Sequence, residues 1–182
     1  MACDLTQGRK EPCKDVVGGI KKVYFTDFGD FGTVSYTDET ITDMTGTFTA
    51  WEYELKGNSS FEQTVNASRE NGTTFFEQTL NITLKKLSAA DNKELKLLAY
   101  GRPHIAVEDY NGNVMVMGLD NGADVSGGSV VTGSAMGDLS GYTLTFTAQE
   151  TSPAKFLSSP TATDPYDGMT SATVTVTEGT NS

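Results

Sequence analysis

The sequence predicts a mainly β protein that carries one α-helix and one long β-hairpin. Three observations predict it. Short segments alternate apolar and polar residues, with threonine frequent on the polar side, as half-buried strands do. Nineteen glycines punctuate those segments, and the Asn-Gly steps Asn71-Gly72 and Asn111-Gly112 fall between alternating runs where turns belong. One stretch, Ser88 to Tyr100, has helical spacing with both ends marked. At 182 residues, 37% of them hydrophobic, the chain is long enough for one domain with a substantial core. It divides into an N-terminal arm over 1–19, a main domain over 20–157, and a C-terminal linker with an arm or edge strand over 158–182.

The first nineteen residues mix charges with Pro12 and Gly18-Gly19 and show no period, so an arm is expected. Ile20 to Phe28 sets Val23, Phe25 and Asp27 against Tyr24, Thr26 and Phe28, a strand with both faces partly covered. Gly29-Asp30-Phe31-Gly32 breaks it. Thr33 to Tyr36 is a short strand, with a turn at Asp38-Glu39. Thr45 to Leu55 is stronger: Phe48, Ala50, Glu52 and Glu54 oppose Thr47, Thr49, Trp51, Tyr53 and Leu55. Lys56-Gly57-Asn58-Ser59 then turns into the hairpin.

That hairpin occupies Phe61 to Leu87 and holds an internal echo, Phe61-Glu62-Gln63-Thr64-Val65-Asn66 against Phe76-Glu77-Gln78-Thr79-Leu80-Asn81. A two-residue type I′ turn on Asn71-Gly72 needs positive φ at both residues and is the strongest short-range hairpin signal. It sets Glu70 opposite Thr73, Ala67 opposite Phe76, Val65 opposite Gln78, Gln63 opposite Leu80 and Phe61 opposite Ile82. One face then collects Phe61, Val65, Ala67, Phe76, Leu80, Ile82 and Leu84 for packing. The other collects Glu62, Thr64, Asn66, Ser68, Glu77, Thr79, Asn81 and Thr83, with Phe75 near the tip as the exception. At ~3.4 Å per residue the second strand reaches more than ~40 Å. An isolated ribbon of that length is marginal, so its apolar face must lie on something. Its polar face is either an ordinary solvated sheet surface or a wall bordering a water-filled channel.

Ser88 caps the helix, Asp91 supports its first turn, and Leu95, Leu98 and Ala99 form an apolar face. Gly101 and Pro103 stop it. His104 to Gly118 reads as a second hairpin on Asn111-Gly112, with Val107 opposite Val116 and Asp109 opposite Val114. Asp120 to Gly141 is glycine-rich and acidic and reads as an exposed loop. Tyr142, Leu144, Phe146 and Ala148 alternate with Thr143, Thr145, Thr147 and Gln149 in a half-buried strand, which ends at Pro153-Ala154-Lys155-Phe156-Leu157. Ser158 to Met169 contains Pro160 and Pro165 and reads as linker. Ala172 to Thr177 is an edge strand or an arm that adds to a neighbour's sheet.

The formal charge of -11 argues against a nucleic-acid grip, which needs Lys and Arg to displace counterions. Five of the thirteen basic residues lie between Arg9 and Lys22, and Lys155 is the only one after Pro103. Such asymmetry suits head-to-tail contact between copies and suits plain solubility equally. No run of ~18 apolar residues spans a membrane. Met1-Ala2-Cys3-Asp4 opens no export signal, so cytoplasmic synthesis and assembly are expected. The Asn-X-Ser/Thr tripeptides at Asn58, Asn66, Asn71 and Asn81 then arise from composition.

The chemistry-bearing residues are few. Cys3, Cys13 and the single His104 fall short of the four ligands of a structural zinc site. Without export a disulfide is not expected either. Asp109-Tyr110-Asn111-Gly112-Asn113 has the outline of a calcium loop, but its glycine comes one ligand early and no glutamate stands at the twelfth position. His104 follows Arg102-Pro103 at a strand start, where a structural role is expected. The chain has no nucleophile elbow, P-loop or dinucleotide fingerprint. Its Asp and Glu residues are numerous enough for a glycosidase pair, but they sit on regular polar faces. The expectation is a protein that is not an enzyme and holds no metal or cofactor.

The order of parts resembles the bacteriophage tail tube proteins, a family that shares its fold with the inner tubes of contractile injection machines. The resemblance spans about residues 20–157. It rests on the long hairpin, the helix between Ser88 and Gly101, the second hairpin, and Gly141-Tyr142-Thr143-Leu144-Thr145-Phe146-Thr147 followed by Pro153-Ala154-Lys155-Phe156-Leu157. It implies an antiparallel β-sandwich or barrel whose hairpin contributes to an inter-subunit barrel, in hexameric rings stacked into a tube through which DNA passes. It further implies that Glu62, Thr64, Asn66, Ser68, Glu77, Thr79, Asn81 and Thr83 face the lumen. The partners implied are other copies of the chain, other virion tail proteins such as a sheath, and transiting DNA without sequence-specific binding; the location implied is the virion tail. The competing expectations are a capsid decoration or tail-completion protein, and a carbohydrate-binding or adhesive sandwich using Trp51, Tyr53 and Phe75.

Overall fold

The computed structural model describes residues 7–179. In chain order the elements are β1 (Ile20–Thr26), β2 (Val34–Thr37), β3 (Thr40–Met44), β4 (Gly46–Glu54), β5 (Ser60–Ser68) and β6 (Thr73–Lys85). Then come α1 (Ala89–Tyr100), β7 (His104–Asp109), β8 (Val114–Met117), β9 (Asp124–Val131), β10 (Gly141–Glu150), β11 (Lys155–Leu157) and β12 (Ala172–Thr177). The strands form two sheets, a larger one in the order β12-β4-β1-β7-β8-β11-β3-β2 and a smaller one in the order β5-β6-β10-β9. Pairing is antiparallel except at β11–β3 and β12–β4. The protein is a β-sandwich with one helix.

Alternation along the strands builds two cores. Val23 and Phe25 of β1 join Ile105, Val107, Met117, Leu80, Ile82, Phe146 and Ala148 between the two sheets. Each such large side chain, once buried, contributes about 2–3 kcal/mol. Tyr24, the odd one out in β1, points the other way. It joins Ile41, Met44, Phe48, Ala50, Val116, Tyr166 and Met169 on the far side of the larger sheet. That second core draws on β3 and β4 from opposite ends of the strand order, so the larger sheet curls around it. Gly32 N–H to Thr45 O and Thr45 N–H to Thr33 O stitch the curl at 2.8 and 3.0 Å.

Several sequence expectations are corrected here. Residues 120–141 are not simply a loop, because β9 runs through them and pairs with β10. Gly128 marks a close approach: a Cβ there would lie 2.7 Å from the Thr143 carbonyl oxygen. The proline-containing stretch after Ser158 does not behave as a linker. It buries Tyr166 and Met169, and Tyr166 packs edge-on against Phe48 with ring centroids 5.1 Å apart. The short strands β3 and β11 escaped the pattern because tertiary pairing, not local propensity, creates them. β12 is an edge strand, held parallel to β4.

Both hairpins differ in register from expectation. Ser68 pairs with Thr73 and Phe61 with Leu80, so the first loop is the four residues Arg69 to Gly72. Of the Asn71-Gly72 pair only Gly72 has positive φ, at 64°, so the type I′ turn does not form. In the second hairpin Val107 faces Met115 and Ala106 faces Val116. Asp109 N–H donates to Asn113 O, and Gly112 N–H donates to Asp109 O. Tyr110-Asn111-Gly112 therefore form a three-residue loop, with Gly112 at φ 84°.

The helix caps as expected, with Asp91 N–H donating to Ser88 Oγ at 3.0 Å. Its packing is slight. No helix residue is buried; Leu98 leans on the inter-sheet core, while Ala99 is exposed and so are Leu97 and Tyr100. Burial, with help from the charges of Glu94 and Asp91, pushes the Tyr53 hydroxyl up to about 12, so the first turns of the helix lie near Tyr53.

Candidate functional site

The candidate site is the outward face of the smaller sheet. Strand alternation and the register β5-β6-β10-β9 place its rows. Glu62 pairs with Thr79, Thr64 with Glu77, Asn66 with Phe75, and Ser68 with Thr73. Asn81 sits between Ser60 of β5 and Thr145 of β10, and Thr83 faces Thr143. All eight polar residues singled out in the hairpin thus share one face. Side-chain bonds knit it: Asn66 Nδ2 donates to Glu77 Oε2 at 3.2 Å, and Thr145 Oγ1 donates to Asn81 Oδ1 at 2.8 Å. Ser126 and Ser129 of β9 bond to Thr147 and Thr143 at 2.8 and 2.7 Å.

Sequence reasoning missed that Thr143, Thr145, Thr147 and Gln149 extend this face. The alternation that reveals them was plain, but only the pairing of β10 with β6 brings them beside the hairpin. The assembled surface carries the carboxylates of Glu62, Glu77 and Asp124. Between Arg69 at the hairpin tip and Lys85 at its base it has no cation. Phosphates would meet a mildly repulsive, hydroxyl-rich wall.

The opposite side of the hairpin divides along its length. Leu80 and Ile82 are fully buried, facing Phe146 and Leu144 across the β6–β10 pair. Phe61, Phe76 and Leu84 are half-buried. Toward the tip, Ala67 is exposed and Val65 is 59% exposed. The apolar face is therefore covered at the base and open at the end.

Two glutamines act in parallel on that inner side. Gln63 and Gln78 face each other, and the echo segments pair with one another about them. Gln78, buried to 1% exposure, accepts through Oε1 from Gly118 N–H at 3.0 Å. Gln63 Oε1 accepts from Ala154 N–H at 2.8 Å. Each satisfies a backbone donor of the opposing layer that no ladder reaches.

The remaining polar groups hold structure. His104 stacks between Phe28 and Phe31, with centroids 5.0 and 4.4 Å away. Its Nδ1 bonds the Gly118 carbonyl oxygen at 2.6 Å, and its Nε2 accepts from Gly29 N–H at 3.3 Å. Burial lowers its pKa and outweighs that bond, so the neutral ring is the bonded form. A cleft of about 370 Å³ opens beside it, lined by Phe28, Phe31, Val34, Tyr36 and Leu119.

The buried carboxylates are engaged. Glu108 accepts from Lys21 at 2.7 Å and from the Tyr24 hydroxyl at 3.1 Å, and Glu52 pairs with Lys22 at 2.9 Å. Asp109 accepts from the backbones of Asn111 and Asn113 at 2.9 and 2.8 Å and from both of their side-chain amides, which uses the oxygens a calcium ion would need. Among the described residues no three His, Cys, Asp or Glu side chains gather as metal ligands. Cys13 is free and exposed; Cys3 lies outside the described residues. No helix among those residues is long and apolar enough to cross a membrane. Comparison with protein-family models, curated proteins and solved structures finds no match to this chain.

Proposed function

We propose that this chain is a self-assembling structural subunit of a phage tail tube. Its copies form hexameric rings that stack into a conduit for DNA, within a virion assembled in the host cytoplasm. The subunit works without catalysis or cofactor and without membrane insertion. Its partners are its own copies, neighbouring tail proteins such as a sheath, and DNA that passes without being read.

The observation that carries this reading is the division of the β5–β6 hairpin. One side offers a polar face, broken near the tip by Phe75 and free of cations between its ends, and the other has an apolar strip uncovered toward the tip. A wall that must not hold DNA requires the first, and contact with a neighbouring copy would bury the second. Closing the small sheet across subunits would also remove its open edges.

Electron microscopy of concentrated protein, paired with its mass in solution, tests the reading. Rings or tubes with an axial hole wide enough for duplex DNA are expected. A particle that stays monomeric at high concentration and does not copurify with virions would move the assignment to a decoration, tail-completion or carbohydrate-binding module. In assembled tails, Glu62→Lys with Glu77→Lys is expected to leave folding intact and to slow DNA passage. Unchanged ejection kinetics would remove the lumen assignment.

A further inference from the structure

We infer that the free edge of β5 pairs with β5 of a second copy across a two-fold axis through Gln63. Three observations lead there. First, β5 ends the smaller sheet and, among the described residues, has β6 as its only strand neighbour. Second, the segment that β6 presents to it, Phe76-Glu77-Gln78-Thr79-Leu80, nearly repeats β5's own Phe61-Glu62-Gln63-Thr64-Val65. The two copies pair antiparallel and centred, with Phe61 opposite Leu80, Gln63 opposite Gln78 and Val65 opposite Phe76. A strand that matches a near-copy of itself in this way is self-complementary.

A second β5 on the open edge would meet the same kinds of neighbour: Phe61 across from Val65, Glu62 from Thr64, and Gln63 from Gln63. No carboxylate stands directly opposite another, and exposed Val65 gains an apolar partner on each side of the axis. Third, β5 carries only one of the devices that guard sheet edges, the single charge of Glu62. Its nine residues contain no Pro, Lys or bulge. The opposite edge, β9, is interrupted by a register shift and by Gly127-Gly128, and it lies against α1. The two-fold pair joins two four-stranded sheets into one of eight. It occupies an edge that ring closure would use, so it is a form of the free chain and does not depend on the tube reading.

The test is sedimentation velocity on the full chain across micromolar concentrations, with Thr64→Glu and Thr64→Lys beside it. Thr64→Glu sets a new carboxylate opposite Glu62 twice across the axis, and Thr64→Lys sets opposite charges there. The wild type is expected to dimerise. Thr64→Glu should weaken the dimer at least about tenfold, while Thr64→Lys should retain or tighten it. Near-ultraviolet circular dichroism checks that both variants stay folded.

The register is tested separately in a background with Cys3→Ser and Cys13→Ser. There, Glu62→Cys chains mixed with Thr64→Cys chains under oxidised glutathione should give a cross-linked heterodimer faster than either alone. A wild-type chain that remains monomeric overturns the inference. So does a dimer, or a ring, that forms no 62-to-64 cross-link; a ring of that kind would leave the tube reading standing.

Discussion

The two hairpins share an Asn-Gly step, yet they depart from the two-residue turn by different amounts. In β5–β6 the pairing moves by two residues, and in β7–β8 by one. A shift of two preserves the faces, so every polar residue assigned to the outer side of β5 and β6 stays there. A shift of one changes which residues share a face. The reason lies in the surroundings. β5–β6 has one wet face, and any register that mixed Glu62 or Glu77 with Leu80 would bury charge. β7 and β8 are apolar on both faces, with Ile105, Ala106 and Val107 against Val114, Val116 and Met117 all buried. Alternation therefore carries no information about their register. There the decision falls to Asp109, whose carboxylate organises the loop.

The largest test of this contrast is Gln78→Ala. It removes a fully buried side chain and orphans the Gly118 N–H, and a loss of about 3 kcal/mol in urea unfolding is expected. Gln63→Ala, at the half-buried mate, should cost about 1 kcal/mol. Equal costs would mean that the two glutamines are not differently embedded.

Asp109→Ala comes next, at about 2 kcal/mol. Partial burial raises the carboxyl pKa, but the bonds from Asn113 and Asn111 outweigh it and leave the group lowered. Its stabilisation is thus present above the ordinary carboxylate pKa near about 4 and fades as pH falls through the lower folded value. Thermal melts from pH 6 to pH 2.5 should show a shallower acid loss for Asp109→Asn than for wild type. Parallel curves would remove Asp109 as the register-setting group.

Gly72→Ala and Gly112→Ala should each cost about 1 kcal/mol, because both glycines hold positive φ while open space surrounds an added Cβ. The smallest effect distinguishes the loop types. Asn71 is not at positive φ, so Asn71→Ala should change stability by less than about 0.5 kcal/mol. A type I′ turn would respond to both loop residues.

Much of the candidate site was legible beforehand. Strict alternation placed Glu62 through Thr83 on one side because a strand's side chains have period two. The echo even held the correct register, since pairing the repeat about its own centre puts Gln63 opposite Gln78. The Asn-Gly signal led away from it. The threonines of β10 were visible as a strand face but not as neighbours of β6, since pairing between distant segments leaves no local trace. Tyr166 and Met169 were obscured for a related reason. Their surroundings of Pro, Ser and Thr have the composition of a linker, and only the curled sheet offers them a core.

The amino-acid order by itself determined the strand faces, the helix and its Ser88 cap, and the places where the chain must turn. These are local matters of backbone preference and side-chain polarity, settled within a few residues. The tertiary structure alone decided the pairing of β6 with β10, the register of β7 with β8, the short strands β3 and β11, and the burial of the C-terminal segment. Each depends on contacts between residues far apart in sequence, where what a side chain meets, and not what it is, sets its role.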